Sequence, residues 1–412
     1  MILRIFLNNI SLLLLLLAFG SVKAQENILE EILRNDTSAL VRKVLENKDR
    51  YRLQIVYTQI NRDANNEPHL QTFQYRVKSE EYFYTASLVK LPCAAFALER
   101  IRSMNVKGLN FYTPFKPVSN YKCFANSKYL KKEKPESLSQ LISKLFVLSD
   151  NNAYNWLYEL LGQQYIHQRF SEMGYDSARI IKKFTPCSPS QARSTGPMVF
   201  YTPKGHPFYR QALEVCSTEY KLLLANTVVG EKHEENNKIV NFGMDFRTSN
   251  FISLPDLHEM VIAINLPQSL PENKRFKLEE NDYALLRKYM GMYPRELSAQ
   301  LKEDKYPDAH LKFLFAGGSK TRIDPNIRIF NKVGEYLGFL SDCAYIVDYE
   351  QKVEFFLSAV IYVNEDQILN DGKYEYFSEG CPFLAKLGQI VYQYEIGRQK
   401  EFVPKLKRLG YK

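Results

Sequence analysis

Apolar positions along the chain change period several times, and each change predicts an element. From Ile28 to Leu45 the residues Ile28, Ile32, Leu33, Leu40, Val41, Val44 and Leu45 recur at helical spacing. "YRLQIVYTQI" (51–60) then alternates as a strand does, and "HLQTFQYRV" (69–77) repeats the pattern after a polar turn at Asn61–Glu67. "SLVKLPCAAFALERIRSM" (87–104) is apolar nearly all round from Leu88 to Leu98, which predicts a helix enclosed by the rest of the protein. Two more helices follow, "ESLSQLISKLFVLSD" and "AYNWLYELLGQQYIHQRFSEMGY", with a polar break between them. From about Ile180 to Glu259 the pattern is mixed and punctuated by Pro and Gly, and a third helical block runs from about Asn281 to Leu301. Three strands, "RIFNKVGEYL", "DCAYIVDY" and "VEFFLSAVIYV", precede a final helix at about Phe383–Ile396. The predicted order is helix, two strands, an all-helical middle, three strands, helix. That is an α/β chain of the α+β type: one antiparallel sheet built from both chain ends, with a helical lobe inserted at about 95–310.

The N-terminus changes the picture by setting the compartment. "MILRIFLNNISLLLLLLAFGSVKA" has one early cation, Arg4, an apolar stretch from Ile10 to Phe19, and small residues flanking the end at Val22-Lys23-Ala24. This is the pattern of a signal peptide over residues 1–24, and the apolar run is short for a membrane span. The expectation is a periplasmic or secreted domain covering 25–412, with no stable membrane anchor after cleavage. The leader carries two cations and no acid, so its removal lowers the formal charge from +9 to +7. The remaining cations are spread along the chain instead of forming a stripe, so nucleic-acid binding is not indicated.

Six cysteines (93, 123, 187, 216, 343 and 381) in an oxidising compartment allow up to three disulfides, but their wide spacing gives no framework. Cys93, inside the apolar helix, is expected to be a buried thiol. There is no C-x-x-C, and the six histidines are scattered, so no metal or cofactor is expected. "HEENN" and "HEMVI" lack the second histidine of a zinc-protease helix, and no G-x-S-x-G is present.

Three short motifs remain. Ser87-x-x-Lys90 is weak alone, since a chain of this length holds about two such pairs by chance, and Ser119 and Lys122 in "VSNYK" are another. Ser87, however, stands where a buried helix begins. There the free N–H groups favour negative charge on a nearby oxygen. Lys90, one turn on, would be desolvated by Leu88, Val89 and Leu91, which lowers a lysine's pKa and lets it take a proton from the serine. The competing reading is a capping Ser87 and a snorkelling Lys90. Pro92, near the end of the first turn, predicts an irregular helix start. Ser149-Asp150-Asn151 sits in the break between two helices and reads either as a helix cap or as chemistry. In the second case Ser149 would shuttle a proton, and Asn151 would hold a substrate amide or orient Lys90. Lys332-Val333-Gly334 lies on a strand, where the lysine could hold a substrate carboxylate and the glycine let a substrate backbone lie close. Alone, it is an exposed lysine before a bend.

Taken in this order, the three motifs resemble the serine β-lactamase and penicillin-binding-protein superfamily, in particular its class A β-lactamase-like branch. The resemblance covers nearly the whole of 25–412, with "VGEYLGFLSDCAYIVD" and "FFLSAVIYVN" sitting as that family's last strands do. It implies a β-lactamase/transpeptidase-like fold and a serine hydrolase acting on a β-lactam or a related, peptidoglycan-like amide or ester. In that family's terms Ser87 is the acylated nucleophile and Lys90 its base or relay. Ser149 passes the proton to the leaving nitrogen, and Asn151 binds the acyl side chain. Lys332 holds a carboxylate beside Gly334, and the backbone N–H groups of Ser87 and Glu335 form the oxyanion hole. Two departures stand out. The stretch from Ile180 to Tyr209 has no glutamate to activate a deacylating water, and neither Glu214 nor Glu219 has a recognisable loop motif around it. Val333 replaces a hydroxylated residue, and Glu335 would repel a substrate carboxylate if its side chain faces the cleft. The alternative is a slowly deacylating or non-hydrolytic penicillin-binding, peptidoglycan-sensing protein of the same fold.

Overall fold

The computed structural model describes residues 27–118, 134–320 and 322–407. The predicted signal peptide, the Ser119/Lys122 pair and Cys123 lie outside the described residues. The first helical stretch is two helices, α1 (Ile28–Asn35) and α2 (Ala39–Glu46). They are separated where Asp36 Oδ1 accepts the Ser38 N–H at 2.9 Å, a local bond that competes with helix continuation. Strands β1 (Gln54–Arg62) and β2 (Pro68–Tyr75) follow.

The lobe begins with a 3₁₀ turn over Ala86–Val89 that leads into α3 (Lys90–Ser103). This is the irregular start that Pro92 predicts. After β3 (Pro114–Pro117) and β4 (Glu136–Ser137) comes α4 (Leu138–Val147). It opens on a capping box between Ser137 and Gln140, which satisfies donors left open at the helix start. Helix α5 (Asn151–Glu172) is capped by Asp150, whose Oδ1 accepts the Ala153 N–H at 2.7 Å, and is interrupted at Gly162. Then come β5 (Met198–Tyr201), β6 (Pro207–Gln211), α6 (Leu254–Asn265) and α7 (Glu280–Gly291). The middle is therefore not all helical. Strands β4, β3, β5 and β6, in that spatial order, form a small sheet. Those strands have two to five residues, too few for a period to show in the sequence. Helix α6 also escapes sequence reading: nine of its twelve residues are buried, which leaves little polar face to mark a period.

The chain returns to the main sheet with β7 (Ile327–Tyr336), β8 (Phe339–Asp348) and β9 (Val353–Tyr362), and ends in α8 (Cys381–Gly397). The sheet order is β7-β8-β9-β1-β2, antiparallel throughout, so strands from both chain ends meet at the β9–β1 pairing. Ile55, Tyr57, Ile329, Ile346 and Phe355 pack in one core cluster with residues of α1, α2 and α8. Val56, Ile60, Phe330, Tyr345 and Phe356 pack in another with the lobe helices. Both faces are covered, which is why every residue of β8 and β9 is buried and their apolar positions do not alternate with polar ones. Among the described residues Cys187 is disulfide-bonded, whereas Cys93, Cys216, Cys343 and Cys381 are free and buried, so the three bridges that six cysteines allow do not form. Among the described residues no helix is long and apolar enough to cross a membrane.

Candidate active site

Ser87 lies on the 3₁₀ turn that leads into helix α3, whose residues Lys90–Glu99 are all buried. Ala86 just before it has φ +43° and Ser149 has φ +52°, a region that non-glycine residues seldom occupy. Behind the turn runs β7. A Cβ at Gly334 would stand 2.7 Å from Thr85 O, 2.7 Å from Ser341 Oγ and 3.2 Å from Leu88 Cγ. The sequence suggested that this glycine admits a substrate backbone. Its absent side chain instead admits the protein's own backbone, the turn that carries Ser87.

Lys90 is fully buried, and its Nζ lies 2.9 Å from Ser87 Oγ, 2.5 Å from Ser149 O, 3.2 Å from Ser149 Oγ and 2.7 Å from Asn151 Oδ1. Burial holds its pKa well below the usual lysine range; neighbouring Lys332 pushes the same way and Asp150 only partly opposes them. A neutral amine has two hydrogens and one lone pair. The Ser149 carbonyl and Asn151 Oδ1 can only accept, so they take the two hydrogens. The lone pair is then left for the Ser87 hydroxyl, which donates to it. This is the arrangement of a serine with its base.

Lys332 is buried on β7, and its Nζ donates to Ser149 Oγ at 3.0 Å and to Val333 O at 2.9 Å. Burial pushes its pKa down to about 7, against the pull of Asp342 and with the push of Lys312. Ser149 Oγ thus bridges two lysines, where a hydroxyl can pass a proton on. On the opposite face of the sheet Asn331 Nδ2 donates to Asp342 Oδ1 at 2.8 Å, and Lys312 Nζ donates to Asn331 Oδ1 at 2.7 Å. Asp150 caps α5 while its two neighbours face Lys90, so both readings of Ser149-Asp150-Asn151 apply, each to different residues.

In front of Ser87 opens a cleft of about 360 Å³ lined by Tyr84, Ser87, Asn151, Phe184, Glu335 and Tyr336, among others. That is the size of a small-molecule site. A larger depression of about 600 Å³, between α1 and α8, has no serine, cysteine or histidine in its lining. Among the described residues no cluster of three His, Cys, Asp or Glu side chains could hold a metal ion.

The family model described as "Beta-lactamase enzyme family" matches residues 37–205, a span that includes Ser87, Lys90, Ser149 and Asn151 and stops short of Lys332. Over that span the chain is similar to the β-lactamase family. No curated protein sequence matches the chain. Among solved structures, a class A beta-lactamase from Clostridium kluyveri is similar at 12% identity and TM-score 0.48, over 86% of this chain and 97% of that one. A beta-lactamase from Burkholderia ambifaria is similar at 13% identity and TM-score 0.47, over 85% and 97%. One from Chitinophaga pinensis is similar at 12% identity and TM-score 0.46, over 87% and 99%.

The structure brings Ser87, Lys90, Ser149, Asn151 and Lys332 into one bonded group. Glu335 lies beside them, with its side chain exposed along the cleft and its carboxyl pushed up by desolvation. Phe184 was not found by sequence reasoning. Its ring centroid is 5.2 Å from Lys90 Nζ, and its backbone N–H donates to Asn155 Oδ1 at 2.7 Å. Only the anchoring asparagines could have signalled it, since Asn250 Oδ1 likewise accepts from the Ile181 and Lys182 N–H groups, each at 2.8 Å.

Proposed function

We propose that the chain is a β-lactamase-type serine hydrolase of the periplasm or exterior that works through an acyl-enzyme on Ser87. The observation that carries this reading is the geometry at Lys90: a fully buried amine with no carboxylate in contact among the described residues, its Nζ 2.9 Å from Ser87 Oγ and within hydrogen-bond distance of the Ser149 carbonyl and Asn151 Oδ1. In the acylation step the Oγ–H bond breaks as Oγ bonds to the substrate's acyl carbon, and the proton moves to Lys90 Nζ. It then passes through Ser149 Oγ to the leaving nitrogen or oxygen as the acyl bond breaks. The backbone N–H groups of Ser87 and Glu335 receive the developing oxyanion. Donors of this kind typically contribute about 3–4 kcal/mol each to the transition state. Water then cleaves the ester, restoring Ser87 and releasing a carboxylic acid.

A second reading, a protein that acylates and deacylates slowly, is favoured by Phe184 beside Lys90 and by the lining of the cleft. Glu335 is the one carboxylate among its described lining residues. One experiment tests both. The protein is incubated with a labelled penicillin and with a neutral activated ester, and the adduct mass is followed over time. A Ser87 adduct that turns over supports the hydrolase, and one that persists supports the slow form. No adduct from either reagent, with Ser87→Ala indistinguishable from the parent, overturns both.

A further inference from the structure

Among the described residues Lys183 is the one lysine that lines the Ser87 cleft, with Lys90 and Lys332 bonded behind it, and none of the three presents an exposed ammonium. Lys90 and Lys332 are buried in the network described above, and Lys183, also buried, is ion-paired with Glu159. Glu335 is different. It is exposed, it lines the cleft, and among the described residues no cation lies within ion-pair distance of it. Beside it stand Tyr84 and Tyr336, whose ring centroids are 5.6 Å apart and of which Tyr336 is 52% exposed. Phe184 lines the same cleft. Aromatic faces are electronegative, and rings beside a carboxylate form a place where an ammonium gains both a charge-assisted hydrogen bond and cation–π contact. A carboxylate in the same place meets like charge on a wall with no exposed ammonium to offset it.

We infer that the cleft selects acyl compounds that carry a protonated amino group, and that Glu335 is the residue that sets this preference. The inference deepens the serine-hydrolase reading, on which it rests for the reaction at Ser87, while the charge preference is measurable without any reaction. The Ser87→Ala protein is titrated by calorimetry with 6-aminohexanamide, which carries an ammonium, and with adipic acid monoamide, which carries a carboxylate. In parallel, the unsubstituted protein is acylated with 4-nitrophenyl esters of the same two chains.

The expected result is that the ammonium probe binds at least fivefold tighter than the carboxylate probe. The Glu335→Gln exchange, made on the same background, should remove that ratio, and Glu335→Asp should keep part of it. Equal binding of the two probes, a ratio unmoved by Glu335→Gln, or no binding of either probe overturns the inference. Absence of any Ser87 adduct from either ester counts against the hydrolase reading alone, because the binding ratio still decides the charge preference.

Discussion

Two buried lysines lie at the same cleft, and their surroundings make them opposites. Lys183 has its ammonium against the Glu159 carboxylate, whose other oxygen accepts the Gly196 N–H at 2.6 Å. Among the described residues Lys90 has no carboxylate in contact; its Nζ meets two hydroxyls, a carbonyl, an amide oxygen and the Phe184 ring. Burial alone does not make a base. A buried lysine with a counter-ion is a charged strut, while one without a counter-ion sheds its proton and can take another from a serine.

Substitutions sharpen the contrast. Lys90→Met should slow acylation about 10³-fold, within the range typical of a lost general base, while leaving thermal stability equal or higher. An acylation rate within tenfold of the parent would break the comparison. Glu159→Gln should do the reverse. It removes the carboxylate that faces a buried ammonium, at a cost of about 3 kcal/mol in denaturant unfolding, and adding Lys183→Met should recover part of it. A loss below about 1 kcal/mol would mean that the pair is not a strut.

The pH dependence separates the sites further. Only neutral Lys90 accepts a proton, so the acylation rate should rise with pH through a midpoint well below 10.5, the ordinary lysine value. A midpoint near 10.5 would mean that Lys90 is not the base. His258 repeats the unpaired case in the core, held between Thr58 Oγ1 and Ser358 Oγ at 2.8 Å each, with burial pushing its pKa to about 3 from 6.5. Between those values the unfolded chain binds the proton and the folded one does not. Its contribution is therefore complete above pH 6.5 and is lost as pH falls toward 3, by up to about 1.4 kcal/mol per unit. Unfolding free energies measured across that window should lose this slope in His258→Gln. The smallest effect serves as a control: Ser137→Ala should cost about 1 kcal/mol through its lost cap and leave the acylation midpoint unmoved.

The sheet was legible because its strands are ten residues long in β7, β8 and β9, enough for apolar runs to stand out. The bonded group was legible too, since Ser87, Lys90, Ser149 and Asn151 sit in short motifs beside helix starts. The wall opposite was not. Phe184 reaches Lys90 through a segment held by asparagine side chains from α5 and from beyond β6, and no local pattern records such long-range anchoring. The role of Gly334 was misread for a related reason, because what fills the space of a missing Cβ depends on a partner 249 residues earlier, at Thr85. The small sheet and α6 were missed through shortness and through burial.

The antiparallel pairing of β1 with β9 has a consequence for synthesis. Ser149 and Lys332, which share a hydrogen bond, are 183 residues apart, and β7 joins the sheet only through β8 and β9. A nascent chain therefore carries its serine and lysine long before the strand that backs them exists. Such contacts of high sequence separation form late and slowly. The bonded group around Ser87 is complete only when the last strands dock, so a growing chain lacks it until those strands have been made.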